Sequence, residues 1–218
     1  IFKTRDVAKT QSGRGLLIDK YYESVRSDPR EFGENLYALA VRQGLYQARD
    51  VFVVADGAVW IWNIAKERFG RAKQLLDFFH ASQHLWAVAK ALHPDDEVKS
   101  KKWVDPLLHQ LRHGGEQKVL SSLEDLLSIS EDFSEDRKDT ISKNINYFEN
   151  NRQRLCYAKR EKQGAPVGSG SMESTCSQLQ NRFKRTGQFW TDPGLANLMI
   201  FEMLKRNDQW DEYWDEIA

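Results

Sequence analysis

Two short apolar runs that each end in an aspartate constrain this chain more than any other feature. "VFVVA" leads into Asp56, and "QLL" leads into Asp77, 21 residues later. A brief uninterrupted apolar run bounded by charge and glycine is the pattern of a central strand covered on both faces. The segment between the two runs, through "AVWIWNIAKERFG", reads as a helix, and Trp60, Ile61 and Trp62 are expected to anchor it in the core. In open α/β sheets, functional groups stand just beyond the carboxyl ends of the strands. Asp56 is in that position. An Asp-Gly pair is also an ordinary turn, so both readings of Asp56 stand at this point.

Upstream, "IFKTRDV" and "GLLIDKYYESV" have the β-branched and aromatic content of strands. A helix follows. Asp28 is its N-cap, Pro29 its first residue, Glu31 completes a capping box, Phe32, Leu36, Leu39 and Ala40 form its apolar stripe, and Gly44 stops it. After Asp77 a further helix places Asp77, His80 and His84 at i, i+3 and i+7 on one face. That trio can be a hydrogen-bonded cluster in which Asp77 orients His80, a direct participant in chemistry on DNA, or a metal site.

From about 94 to 163 the chain is polar and helical. Its stripes include Trp103, Leu107 and Leu111, and then Val119, Leu120, Leu123, Leu126 and Leu127. "SEDFSEDRKD" reads as a solvated connection, and the whole stretch as a separate helical module. In "GAPVGSGSMESTCSQLQNRFKRTGQFW", closely spaced glycines lead into a helix with Glu173 in its first turn, where the helix dipole favours an acid. Met172, Cys176, Leu179 and Phe183 are expected to form its core stripe. Arg182, Lys184 and Arg185 interleave with Phe189 and Trp190, a combination suited to a nucleic-acid backbone and unstacked bases. Trp210, Tyr213, Trp214 and Ile217 line one face of a final helix, as core or as an interface cover.

With 32 basic and 32 acidic residues the chain is no general polycation, so any nucleic-acid affinity must come from local patches. Two cysteines in neither a CxxC pair nor a disulfide framework, and no apolar stretch of bilayer length, point to a soluble cytoplasmic protein with no membrane role. Because the chain opens at Ile1 inside a strand-like segment, something is expected to precede it.

The phrases "VVADGAVWIWNIAKERFGRAKQLLDFFHASQHLW", "YFENNRQRL", "GAPVGSGSMESTC" and "RFKRTGQFW", with "WDEYW" near the end, resemble the C-terminal part of bacterial insertion-sequence transposases of the ISKra4 type, in the wider DDE group. The resemblance covers residues 30 to 214. It implies an α/β fold: an RNase H-like mixed sheet core, here incomplete, interrupted by an all-helical insertion. On that basis residues 1–84 are the first part of the core, 85–163 the insertion, and 164–218 the completion of the core. The resemblance matches Asp56 to the second catalytic aspartate and Glu173 to the catalytic glutamate, both as metal ligands. It matches Asp77 and His80 to an accessory Asp-x-x-His signature.

Two Mg²⁺ (or Mn²⁺) ions suit in-line displacement at phosphorus, and hard ions take carboxylate oxygens, which explains why such a site needs acids. DNA, as transposon ends and target, is the implied partner, and a homo-oligomer is compatible. The family's first catalytic aspartate has no clear match. Asp6 is the nearest candidate, so the chain is expected to be truncated at its N-terminus and weakly active or inactive. Two rivals remain: a non-catalytic DNA-binding or scaffold remnant that depends on Arg182, Lys184 and Arg185, and a zinc hydrolase built on Asp77, His80 and His84.

Overall fold

The computed structural model describes residues 1–4, 17–129 and 133–217, without the side chains of Thr4 and of 127–129. Asp6, and the Leu127 side chain of the expected stripe, lie outside the described residues. The protein is mixed α/β and mostly helical, with ten α-helices and two two-stranded sheets among the described residues. None of these helices is long and apolar enough to cross a membrane. The chain divides into two compact units.

The first unit comprises residues 1–51, 63–71 and 170–218. Strands β1 (Phe2–Thr4) and β2 (Leu17–Lys20) pair antiparallel, and helix α1 (Pro29–Arg42) follows. Asp28 caps α1 as expected: its Oδ1 accepts the N–H groups of Arg30 and Glu31, both at 2.9 Å. Gly44, with φ +85°, ends the helix in the left-handed conformation that glycine adopts without a Cβ penalty. Gly33 of α1 packs on Ile64, and a Cβ there would lie 3.2 Å from the isoleucine Cγ1.

Helices α8 (Gly170–Phe183), α9 (Asp192–Arg206) and α10 (Trp210–Asp215) complete this unit. Asn207, just past α9, holds the exit of β2: its Oδ1 accepts Tyr22 N–H at 2.8 Å, and its Nδ2 donates to Tyr22 O at 2.9 Å. The expected stripe of α8 is not its buried face. Met172 and Cys176 are exposed, whereas Thr175 is buried and donates to the carbonyl of Ser171 at 2.9 Å. On α10, Trp210 and Trp214 stay about two-fifths exposed and gather with Tyr213 around Phe201.

The second unit comprises residues 52–62 and 72–169. Strand β3 (Phe52–Ala55) pairs in parallel with β4 (Lys73–Leu76), in the register Phe52 with Lys73 through Ala55 with Leu76. The connection between them is helix α2 (Val59–Arg68), whose residues from Asn63 on belong to the first unit. Trp62 is buried, but Trp60 is 42% exposed. Two residues apart on a helix means roughly opposite faces, so one tryptophan anchors α2 and the other does not. Phe52, Val53 and Val54 are only half-buried, unlike a strand covered on both faces.

Helices α3 (Phe78–Leu92), α4 (Glu97–Arg112), α5 (Glu116–Ile129) and α6 (Glu135–Asn150) follow, with α3 packed on both α4 and α6. Leu85 and Val88, Val104 and Leu111, Val119 and Leu123, and Ile141 and Phe148 supply the apolar part of the core at helical spacing, with Ser100 of α4 and Asn144 of α6 also buried. The part of "SEDFSEDRKD" from Glu135 on is the first turns of α6 rather than a connection. Acids there favour the helix N-terminus.

Arg137 of α6 donates to the last carbonyls of α3, Ala91 O at 2.6 Å and Leu92 O at 3.0 Å, while its guanidinium lies 4.0 Å from the Phe133 ring centre. Both bonds satisfy helix-end acceptors. Arg137→Ala is therefore expected to lower stability by about 1–2 kcal/mol, read as a shift in urea midpoint with unchanged slope. Helix α7 (Tyr157–Lys162) and a glycine-rich segment close the unit.

Candidate functional site

The parallel register carries the geometry of the site. Ala55 and Leu76 are partners, so the next residues, Asp56 and Asp77, stand side by side at the carboxyl ends of adjacent strands, and Asp77 N–H extends the ladder to Ala55 O at 2.7 Å. The 21-residue spacing of the two apolar runs is the offset of this register. The two aspartates differ sharply in surroundings. Asp56 is exposed, whereas Asp77 is wholly buried.

Asp56 makes a tight turn. Its Oδ1 accepts Ala58 N–H at 3.0 Å, and Gly57 follows at φ +99°. Oδ2 makes no hydrogen bond among the described residues. Tyr147 of α6 closes over this turn: its hydroxyl donates to Asp56 O at 2.7 Å, and a Cβ on Gly57 would lie 2.7 Å from its Cε2. Glycine is thus required here on two counts, backbone conformation and space. Burial, and then the charges of Asp56 and Asp77, push the Tyr147 phenol well above its usual range, so it stays a neutral donor.

Asp77 caps α3. Oδ1 accepts His80 N–H at 2.9 Å and lies 3.2 Å from His80 Nδ1, and Oδ2 accepts the Ser169 N–H. The glycine-rich segment makes this possible, since Gly168 passes with its Cβ position 3.4 Å from Oδ2 and Val167 O accepts Phe78 N–H at 3.0 Å. Burial alone would raise the Asp77 carboxyl, but the donors from His80 and Ser169 outweigh it and hold the group below its ordinary value. It is ionised, and its acceptor positions are largely used by these donors. Because a carboxylate only accepts, His80 presents Nδ1–H to it, and Nε2 is the ring nitrogen turned away from the bond.

His84, one turn further along α3, is tied elsewhere. Its Nδ1 lies 2.6 Å from Asn144 Oδ1, whose Nδ2 donates to Thr140 O, and its ring stacks on Tyr147 at 3.5 Å between centres. Burial, aided by His80, keeps His84 below its ordinary value and hence neutral. Asp77, His80 and His84 do not bring three ligand atoms within 4.8 Å of one another, so the zinc trio is not assembled among the described residues. The His84–Asn144–Tyr147 connection spans 60 residues and escapes any periodicity. Its only sequence signal is Tyr147 at the head of "YFENNRQRL".

The remaining residues lie in the first unit. Glu173 is half-buried in the first turn of α8. Arg182 pairs with buried Glu202 at 2.9 Å, so its charge is already partly matched. Lys184 and Arg185 are exposed, Phe189 is 92% exposed, and Trp190 Nε1 donates to Phe183 O at 2.9 Å.

Asp56 offers one exposed carboxylate oxygen, the donor type that Mg²⁺ prefers, but no group of three ligand atoms gathers around it among the described residues. Asp77, with its oxygens committed, suits the orienting of His80. Comparison with curated proteins and with solved structures returns no match. One family model matches residues 19–212, nearly the whole chain, and the protein accordingly belongs to the uncharacterised protein family UPF0236.

Proposed function

We propose that this protein is a DDE-type transposase chain that serves metal-dependent cleavage and transfer of insertion-sequence DNA on an RNase H-like core. The observation that supports this most is the pair of aspartates at the carboxyl ends of adjacent parallel strands, one exposed and one buried. Such a pair is the means by which an open α/β sheet presents chemistry to a crevice. Divalent ions, when bound, supply charge stabilisation to the attacking and leaving oxygens of an in-line displacement at phosphorus.

Within the chain, Asp56 is the holding carboxylate, fixed by its bond to Ala58 N–H and by the Tyr147 hydroxyl on its carbonyl. Asp77 keeps His80 in one tautomer, so that Nε2 can accept a hydrogen bond or a proton. Glu173 is the second holding carboxylate, the role that the resemblance implies for it. Lys184, Arg185, Phe189 and Trp190 provide cations and rings for a DNA strand, with Arg182 beside them.

DNA affinity measured with and without Mn²⁺ tests this reading. Binding is expected to tighten several-fold with the ion, and the gain to disappear in Asp56→Ala and in Glu173→Ala. Plasmid nicking is expected to be weak or absent. Among described residues 17–50 no acid ends a strand as Asp56 and Asp77 do, which makes ion-dependent binding the informative signal. DNA affinity that falls steeply with salt yet ignores the ion would replace this reading with a non-catalytic DNA-binding remnant.

A further inference from the structure

In the first unit, an open cleft of about 410 Å³ lies along α8, lined by Lys20, Tyr22, Ser171, Ser174, Gln178 and Arg206, with Gly170 and buried Thr175 beneath. Its size is within the ordinary range for ligand sites. Its chemistry is one-sided. Ser171, Ser174 and Gln178 fall at i, i+3 and i+7 on one helix face, and none of the lining residues is acidic.

The charged side chains that line the cleft, Lys20 and Arg206, are both cations. Buried Glu202 is shared by Arg182 at 2.9 Å and Arg206 at 2.8 Å, so one acid faces two cations. Arg206 is also held by Gln178 Oε1 at 3.1 Å from Nη1, which leaves Nη2 without a hydrogen bond among the described residues. Lys20, exposed at the end of β2, brings a second cation to the lining, while Asp19, Asp208 and Glu212 lie on the neighbouring hollow that shares Lys20 and Arg206. Two cationic side chains, two serine hydroxyls and an amide converge in a protein whose overall charge is zero.

We infer that this cleft binds a phosphate group, through Lys20, Arg206 and the hydroxyls of Ser171 and Ser174. The group can be free phosphate or a phosphodiester of a nucleic-acid strand, and only the second source rests on the DNA reading above. A planar guanidinium with a free edge and a mobile ammonium are the usual pair for such oxyanions.

Amide chemical shifts of Gly170, Ser171, Ser174 and Gln178 in the full chain, followed in EDTA with inorganic phosphate and with a single-stranded oligonucleotide, test the assignment. Both probes are expected to move these signals. Lys20→Glu and Ser174→Asp are each expected to weaken binding at least fivefold, and Lys20→Glu to lower the salt slope for the oligonucleotide by about one. Ser174→Asp changes an exposed side chain and leaves the fold intact. A response to phosphate alone supports the cleft and removes the nucleic-acid source. No response to either probe, or an undiminished response in both variants, overturns the assignment. Working in EDTA keeps this outcome separate from that of the ion at Asp56.

Discussion

Asp77→Ala is expected to cost about 4 kcal/mol of stability, from roughly 1–3 kcal/mol for each buried donor left without a partner. The wholly buried carboxylate accepts His80 N–H, His80 Nδ1–H and Ser169 N–H. Its removal strands all of them at once, together with the start of α3 and the end of the glycine-rich segment. Asp77→Asn keeps the shape and one acceptor, and is expected to lose about half as much. The pH dependence has a definite sign. Because the folded carboxyl is held below its ordinary value of 3.8, its contribution is complete above that pH and is lost as the pH falls through the lower folded value. Wild type should therefore lose stability below about pH 4 more steeply than Asp77→Asn, as read by chemical denaturation at a series of pH values. Equal slopes for the two proteins would show that Asp77 is not ionised in the fold.

Gly57→Ala is the second large effect, expected at about 3 kcal/mol. A left-handed residue other than glycine costs roughly 1–2 kcal/mol, and the new Cβ would sit 2.7 Å from Tyr147 Cε2 at φ +99°. The ring must move. It then loses its bond to Asp56 O and its stack on His84. The two causes separate in a cycle: in a Tyr147→Ala background the same glycine substitution should cost only the conformational part, about 1–2 kcal/mol. An identical cost in both backgrounds would mean that the tyrosine does not close over the turn.

Local chemistry made much of this fold readable. The cap at Asp28 and the stop at Gly44 fix α1 because each satisfies a specific backbone need. The strands ending at Asp56 and Asp77 were legible because an apolar run broken by an acid has few other uses. Periodicity located α4 and α5, since each buries one stripe. It failed on α8, where Thr175 is the buried residue, Leu179 and Phe183 of the expected stripe are half-buried, and Met172 and Cys176 face solvent. Helical spacing alone cannot tell which of two mixed faces turns inward. It failed again at Trp60, because a two-residue step on a helix reverses the face. The role of Tyr147 depends on a contact across 91 residues with Asp56, and no local pattern encodes that.

Paramagnetic broadening by Mn²⁺ reaches the centre of the ion-binding account most directly. In the full chain, sub-stoichiometric Mn²⁺ should broaden the amide signals of Asp56, Gly57, Asp77 and His80 before others, saturably, and Asp56→Ala should abolish the effect. Broadening that spares these residues, or that persists undiminished without the Asp56 carboxylate, would contradict it.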